Sequence, residues 1–294
     1  MARMLALVRL LRPHHSLKNL FVLVPLFFGH KLGDSWAVLH ALLAFAAFCL
    51  ASSAVYVFND LHDVAEDRAH PVKRNRPLAS GAVSRPLAAL LLAPLAGGGL
   101  LLAWLALPWQ VAVVLAVYLA LNMAYTLVLK HVAIVDVICV AAGFVLRVFA
   151  GGWAVSVDLS HWLVLMTFLL AVFLGLAKRW GDLIMVDNGQ GGRRSLDGYN
   201  AEFVSAGMVC MAAVVLVSYV QYTVSPEVMD KHGTPYLYLT ALWVVMGLLR
   251  YMQLALVRRL SHPPTRMVLV DPFLQIVIIC WIVSFYVLLY VVGR

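Results

Sequence analysis

Residues 36–58 read WAVLHALLAFAAFCLASSAVYVF, and the chain continues Asn59-Asp60-Leu61-His62-Asp63-Val64-Ala65-Glu66-Asp67. The first stretch is 23 residues without Asp, Glu, Lys or Arg. As a helix it is long enough to cross the roughly 30 Å hydrocarbon core of a bilayer. The second stretch places an acidic cluster at the very end of that run. Carboxylates are costly in or near a bilayer, and there they mark a site more often than a packing solution. At 100° per residue, Asp60, Asp63 and Asp67 fall within about 60° of one another, while Glu66 points away. Carboxylates sharing a face repel unless a cation lies between them. Hard oxygen donors suit Mg²⁺, which keeps one or two carboxylates and shares its other positions with water and phosphate. Lys73, Arg74 and Arg76 follow within ten residues of Asp67 and suit the remainder of a phosphorylated ligand. A solvated helix end with incidental charges would not explain why acids come first and bases immediately after.

Composition sets the class around this stretch. Of 294 residues, 63% are hydrophobic and 12% charged, against about half and a quarter in a soluble domain. The expectation is an all-α polytopic membrane protein with one transmembrane domain over residues 1–294. Nine spans are expected, near 17–33, 36–58, 86–106, 109–129, 133–154, 160–178, 203–223, 234–255 and 270–291. The basic N-terminus lacks the compact apolar core and small-residue cleavage site of a signal peptide. Small residues inside a span, such as Gly97-Gly98-Gly99, serve helix packing.

The basic residues orient the chain. With a cytoplasmic N-terminus, seventeen of the Lys and Arg residues fall on the cytoplasmic side and only Lys31, Lys231 and Arg294 outside, a strong positive-inside bias. That bias accounts for the net charge of +8 without a nucleic-acid partner. It also puts loops 59–86 and 178–202 on the cytoplasmic face of a bacterial-type plasma membrane. Topology does not explain Arg147, which lies inside an apolar span and is expected to need an anionic partner. Cys49, Cys139, Cys210 and Cys280 lie in separate spans without metal-ligand spacing.

A second polar focus follows the sixth span. Lys178-Arg179-Trp180-Gly181-Asp182 is succeeded by Asp187 and by a Gly-rich stretch ending Arg193-Arg194-Ser195-Leu196-Asp197-Gly198-Tyr199. Lys178 and Asp182 share a helix face at i, i+4, which an intrahelical ion pair would also explain. The pattern repeats the first focus: a long span, a charged cluster, then a basic loop able to close over a ligand. Two related halves facing one cavity are the expectation.

At these two foci the chain resembles the UbiA superfamily of intramembrane prenyltransferases, nine-helix bundles around a central cavity. The anchors are Arg12-Pro13 with Lys18-Asn19, Asn59-Asp60-x-x-Asp63-x-x-x-Asp67, Lys73-Arg74-x-Arg76-Pro77, and Tyr125 with Lys130. The resemblance implies that Asp60, Asp63 and Asp67 bind Mg²⁺-diphosphate with support from Asn59. Typical members carry DxxxD at the second focus, where this chain has Lys178 and only Asp182. Together with Gly143-Phe144-Val145-Leu146-Arg147, Gly151-Gly152, Arg194-Ser195-Leu196 and Leu249-Arg250-Tyr251, that departure resembles a branch whose members act on polyprenyl (decaprenyl-type) phosphate. The implied donor is soluble phosphoribosyl diphosphate and the implied acceptor a membrane polyprenyl phosphate. The catalytic set is then Asp60, Asp63, Lys73, Tyr125, Lys130, Lys178 and Asp182. Substrate binding falls to Lys18, Asn59, Asp67, Arg74, Arg76, Arg147, Arg179, Arg194 and Tyr199. Two alternatives stand beside this one: isoprenyl transfer to an aromatic or other acceptor, and lipid or ion transport. The missing second acid pair opposes the first, and a metal-diphosphate cluster beside a basic loop is superfluous to the second. The sequence leaves oligomeric state open, a homo-oligomer included.

Overall fold

A backbone crossing hydrocarbon must satisfy its own polar groups, and long apolar runs do so as helices. The computed structural model of the chain describes residues 2–69, 73–187, 198–260 and 263–293. Among them, eight helices are long and apolar enough to cross a membrane: Ser35–His62, Arg85–Ala106, Trp109–Leu127, Val135–Ala154, His161–Asp187, Ala201–Val224, Tyr236–Val257 and Pro272–Val292. Each coincides with an expected span to within a few residues, apart from the C-terminal end of the sixth. The chain divides into two compact units, Met1–Ser160 and His161–Arg294.

In the first unit, α1 (Ala2–Leu11) leads into a 3-10 segment (Pro13–Leu23) and the short α2 (Val24–Phe28). α3 (Ser35–His62) is followed by α4 (Val64–Ala69), a 3-10 turn (Lys73–Asn75), α5 (Arg85–Ala106), α6 (Trp109–Leu127), a second 3-10 turn (Leu129–His131) and α7 (Val135–Ala154). Asp34 starts α3 by accepting from the amides of Trp36 (3.0 Å) and Ala37 (3.2 Å), which satisfies two of the donors a helix start leaves open. α3 is the axis of this unit. Its Ala37, Ala41, Ala44, Phe48 and Ala51 are buried at alternating spacings of four and three, one stripe of an α-helix. Small side chains there let α5 approach closely. A Cβ on Gly99 of α5 would sit 2.9 Å from the carbonyl oxygen of Ala47, whereas one on Gly97 would meet nothing within 4 Å. Of the glycine triplet, it is Gly99 that does the packing.

The first expected span, 17–33, takes an unexpected form. Residues Pro13–Leu23 and Val24–Phe28 run antiparallel to α3. Arg12 meets Asp60, Asn19 meets Ser52, Val22 packs in the cluster of Ala44, Ala47 and Ala51, and Leu26 packs with Ala37 and Ala41. A 3-10 helix rises about 2.0 Å per residue against 1.5 Å for an α-helix, so these residues reach about 30 Å. The backbone lies tightly on α7, where a side chain on Gly151 would collide with the Val22 carbonyl.

In the second unit, α8 (His161–Asp187), α9 (Ala201–Val224), α10 (Pro226–His232), a 3-10 turn (Tyr236–Thr240), α11 (Ala241–Met252) with a π-helical end (Gln253–Val257), α12 (Pro264–Val270) and α13 (Pro272–Val287) follow in order. Asn200 and Asp271 cap α9 and α13 through the amides of Phe203 (2.7 Å) and Leu274 (2.9 Å). α8 does not end near residue 178, as the sequence suggested, but runs on to Asp187. The expected loop 178–202 is therefore helical in its first part.

Both units expose large apolar side chains and bury charged ones. Leu90 and Leu105 of α5 are 71% and 73% exposed, while Asp60, Asp136, Arg147 and Arg179 are buried. Water would not tolerate that distribution, and a bilayer demands it. The protein is a multi-pass integral membrane protein.

Candidate active site

α3 delivers the acidic motif at the point where its helix breaks. Asp60 lies in the last turn, Asp63 is the residue at the break (φ −92°, ψ 9°), and Asp67 lies in α4. The break is slight. The Asp63 amide donates to the Asn59 carbonyl (2.9 Å) and the Asp67 amide to the Asp63 carbonyl (2.8 Å). Helical spacing thus persists across it, and all three carboxylates are buried while Glu66 is exposed.

Each buried carboxylate meets a cation. Arg12 donates through Nη2 to Asp60 Oδ1 (2.6 Å). Arg76 donates through Nη1 to Asp60 Oδ1 (3.2 Å) and to Asp67 Oδ2 (2.6 Å). Lys130 donates from Nζ to Asp63 Oδ1 (2.5 Å), and His62 Nδ1 lies 2.9 Å from the same oxygen. Local structure explains each arrival. Arg12 takes a left-handed backbone (φ 52°, ψ 56°) between α1 and the 3-10 segment; its guanidinium carbon lies 5.2 Å from the Tyr56 ring centre. Arg76 follows the Lys73–Asn75 turn, and Lys130 sits in the tight turn after α6. Thr126 of α6 donates to Asn59 Oδ1 (3.4 Å).

This pairing changes the expected picture of three acids around one ion. Arg76 bridges Asp60 and Asp67, and Lys130 pairs with Asp63. Among the described residues, no three His, Cys, Asp or Glu side chains are grouped closely enough to hold a metal. The protein neutralises the acids with its own bases. The donor chemistry still fits Mg²⁺, which needs one or two protein carboxylates once phosphate supplies other oxygens. Asp60 Oδ2 is buried without a hydrogen-bond partner among the described residues, an orphan acceptor of the kind a site leaves for its ligand.

Other expected residues fall as follows. Lys73 is half-buried and Arg74 exposed in their turn, and Tyr125 is half-buried on α6. Arg147 meets Asn19 rather than the acidic cluster and has no anionic partner among the described residues, while Lys18 lies within electrostatic reach of both Arg147 and Arg12. Arg147 donates to Asn19 Oδ1 (2.8 Å), the Gly143 carbonyl (2.7 Å) and the Tyr118 hydroxyl (2.9 Å). The expected carboxylate is replaced by neutral acceptors. In the second unit, Asp182 accepts from Arg179 (2.6 Å) at i, i+3, so the motif's described ion pair is not the i, i+4 pair with Lys178. Arg179 is buried, Lys178 and Asp182 are half-buried, and Trp180 donates to the Ala255 carbonyl (2.7 Å) within the π-helical end. Tyr199 is buried with its ring 6.1 Å from Phe203. Arg194 lies outside the described residues.

Sequence reasoning did not place Arg12, Asn19, Thr126 or Tyr118 in a site. Arg12 was absorbed into the positive-inside pattern. Its one available signal was its position in Arg12-Pro13, ahead of Lys18-Asn19. Tyr118 offered none, being one aromatic among many in an apolar run.

Among proteins of known sequence, the decaprenyl-phosphate phosphoribosyltransferase of Mycolicibacterium smegmatis is 33% identical over 287 residues, covering 94% of this chain and 90% of that one. Its namesake in Mycobacterium tuberculosis is 31% identical over 282 residues, covering 94% and 92%. Among solved structures, a UbiA homologue from Archaeoglobus fulgidus bound to GPP and Mg²⁺ superposes with a TM-score of 0.73 at 19% identity, covering 97% of this chain and 100% of that one. The helical architecture is therefore shared even where the sequence has diverged. The family description that matches residues 19–278 is the UbiA prenyltransferase family, and with most of its length inside that match, the chain belongs to this family.

Proposed function

We propose that the protein transfers 5-phosphoribosyl from phosphoribosyl diphosphate to a polyprenyl phosphate, releasing diphosphate. The observation that carries this reading is the cation at the second focus. Where typical family members place an acid pair, Lys178 stands and Asp182 accepts through one oxygen from the buried Arg179. The names of the two mycobacterial relatives point the same way.

The first focus serves the leaving group. Asp60 and Asp63 would hold Mg²⁺, which when bound withdraws charge from the departing diphosphate. Arg12, Arg76 and Lys130, now paired to these carboxylates, would stabilise the charge that develops on the departing diphosphate. Lys73 and Arg74 extend that positive surface. The bond from ribose C1 to the diphosphate oxygen breaks with its electron pair leaving on diphosphate, and C1 acquires oxocarbenium character. A lipid phosphate oxygen then forms the new bond to C1. That oxygen is already anionic near neutral pH, so no general base is required and positioning is the main demand. Tyr125 and Asp182 are the candidates for ribose hydroxyls. Lys178, Arg179, Arg194 and Tyr199 are candidates for substrate phosphates.

The site faces the cytoplasm of a bacterial plasma membrane in this reading. The antiparallel course of residues 13–28 along α3 supports a ninth crossing, with the N-terminus on the side of Asp60. The positive-inside bias supports making that side cytoplasmic, where a soluble donor is available. Purified protein incubated with Mg²⁺, ribose-labelled phosphoribosyl diphosphate and polyprenyl phosphate should move label into the organic phase. Isoprenyl diphosphate with an aromatic acceptor should yield no product, and the reverse pair of results would replace this reading with isoprenyl transfer.

A further inference from the structure

Arg147 is 5% exposed on α7, and its described hydrogen bonds go only to neutral groups. The rings of Tyr118, Phe144 and Phe48 lie 4.7, 5.4 and 5.9 Å from its guanidinium carbon. These contacts fix the direction of the guanidinium fork and offset part of its charge, but none of them is a carboxylate. Asn19, which accepts from Arg147, is itself held by Ser52 (3.0 Å). Lys18, next in sequence to Asn19, lies within Coulomb range of both Arg147 and Arg12. Asp60 compensates Arg12, but among the described residues no carboxylate pairs with Lys18.

Two cations held near each other in low-dielectric surroundings raise the free energy of the protein. An arriving anion removes that cost. Ser52 precedes Asp60 by eight residues on α3, so the patch lies about 12 Å further along the helix than the acidic cluster. A metal-bound diphosphate suits the acids. A metal-free phosphate, read by a guanidinium fork and an ammonium, suits the patch.

We propose that Arg147 and Lys18, oriented by Asn19 and Tyr118, form a phosphate-monoester subsite distinct from the acidic cluster. The choice of ligand rests on the phosphoribosyl-transfer reading, in which both substrates carry such a group: the 5-phosphate of the donor and the phosphate of the lipid acceptor.

Calorimetric titration of the full-length protein in detergent with ribose 5-phosphate, farnesyl phosphate and Mg²⁺-pyrophosphate tests this. Lys18→Met keeps side-chain length and removes charge, and Arg147→Lys keeps charge and removes the fork. Each should weaken at least one monophosphate by about tenfold or more, and Lys18→Met should leave pyrophosphate within about twofold. Loss confined to ribose 5-phosphate assigns the patch to the donor, and loss confined to farnesyl phosphate assigns it to the acceptor. The subsite is overturned if wild type binds neither monophosphate, or if Lys18→Met binds all three probes like wild type or loses all three equally. Failure of the reaction reads out separately. A wild-type protein that moves no ribosyl label to lipid discards phosphoribosyl transfer, while a selective monophosphate loss in Lys18→Met would still establish the subsite.

Discussion

At the scale of single residues, the acidic cluster works by balance. Asp60, Asp63 and Asp67 are buried, and each is held by Arg12, Arg76 or Lys130. Asp60→Asn or Asp63→Asn should cost at least about 3 kcal/mol of transition-state stabilisation, the scale of a lost charge-stabilising group. Glu66→Gln, on the exposed side of α4, should leave turnover within about twofold, since a surface change away from the site costs little. Steady-state rates at saturating Mg²⁺ decide the matter, and aspartate variants at near-wild-type rates would remove the site from this cluster. That these three acids turn inward while Glu66 turns out was legible from helical spacing alone. The bases that meet them were only partly so. Arg76 stood beside the motif and Lys130 came with Tyr125 through the family resemblance, but Arg12 looked like an ordinary orientation charge. The neutral partners of Arg147 were illegible, because its hydrogen bonds to Asn19 and Tyr118 across distant segments leave no periodic trace.

At the scale of elements, the close packing of α5 on α3 sets the frame for the acidic motif at the end of α3. Gly99→Val should destabilise the protein by about 1–3 kcal/mol, the usual cost of forcing bulk into a packed contact. The side chain would have to push against the Ala47 backbone, a contact with no rotamer to yield. Gly97→Ala, facing open space, should be neutral or slightly stabilising. Thermal unfolding in detergent, followed by fluorescence and size-exclusion, compares the two. Equal behaviour would mean that α5 does not depend on this approach. Span positions were readable from sequence because a run of apolar residues has one way to cross a bilayer. Two ends were not. Lys178, Arg179 and Asp182 looked like an exit from the membrane, yet α8 carries them onward as helix to Asp187 because Arg179 is buried and paired with Asp182. The expected first span, 17–33, looked like an α-helix but is built from residues 13–28, mostly as 3-10 helix. Its Asn19 meets Ser52 and Arg147, and its 3-10 pitch supplies the length that its residue count lacks.

At the scale of the whole molecule, the account makes a claim about sides and a claim about chemistry. With the natural cysteines replaced, Ser80→Cys should react with an impermeant thiol reagent only from the cytoplasmic side of sealed, oriented vesicles, and Lys231→Cys only from the other. Both positions are exposed. Labelling of Ser80→Cys from outside would invert the topology and deny a cytoplasmic donor direct access. The chemical claim is that ribose C1 parts from diphosphate and joins a lipid phosphate. Phosphoribosyl diphosphate carrying ¹⁴C in the ribose and ³²P in the terminal diphosphate phosphorus separates the two fragments. With polyprenyl phosphate and Mg²⁺, the account predicts ¹⁴C in the organic phase and ³²P in the aqueous phase as pyrophosphate, in equal amounts. Both labels in the lipid, or ³²P released with no ¹⁴C in the lipid, would contradict it.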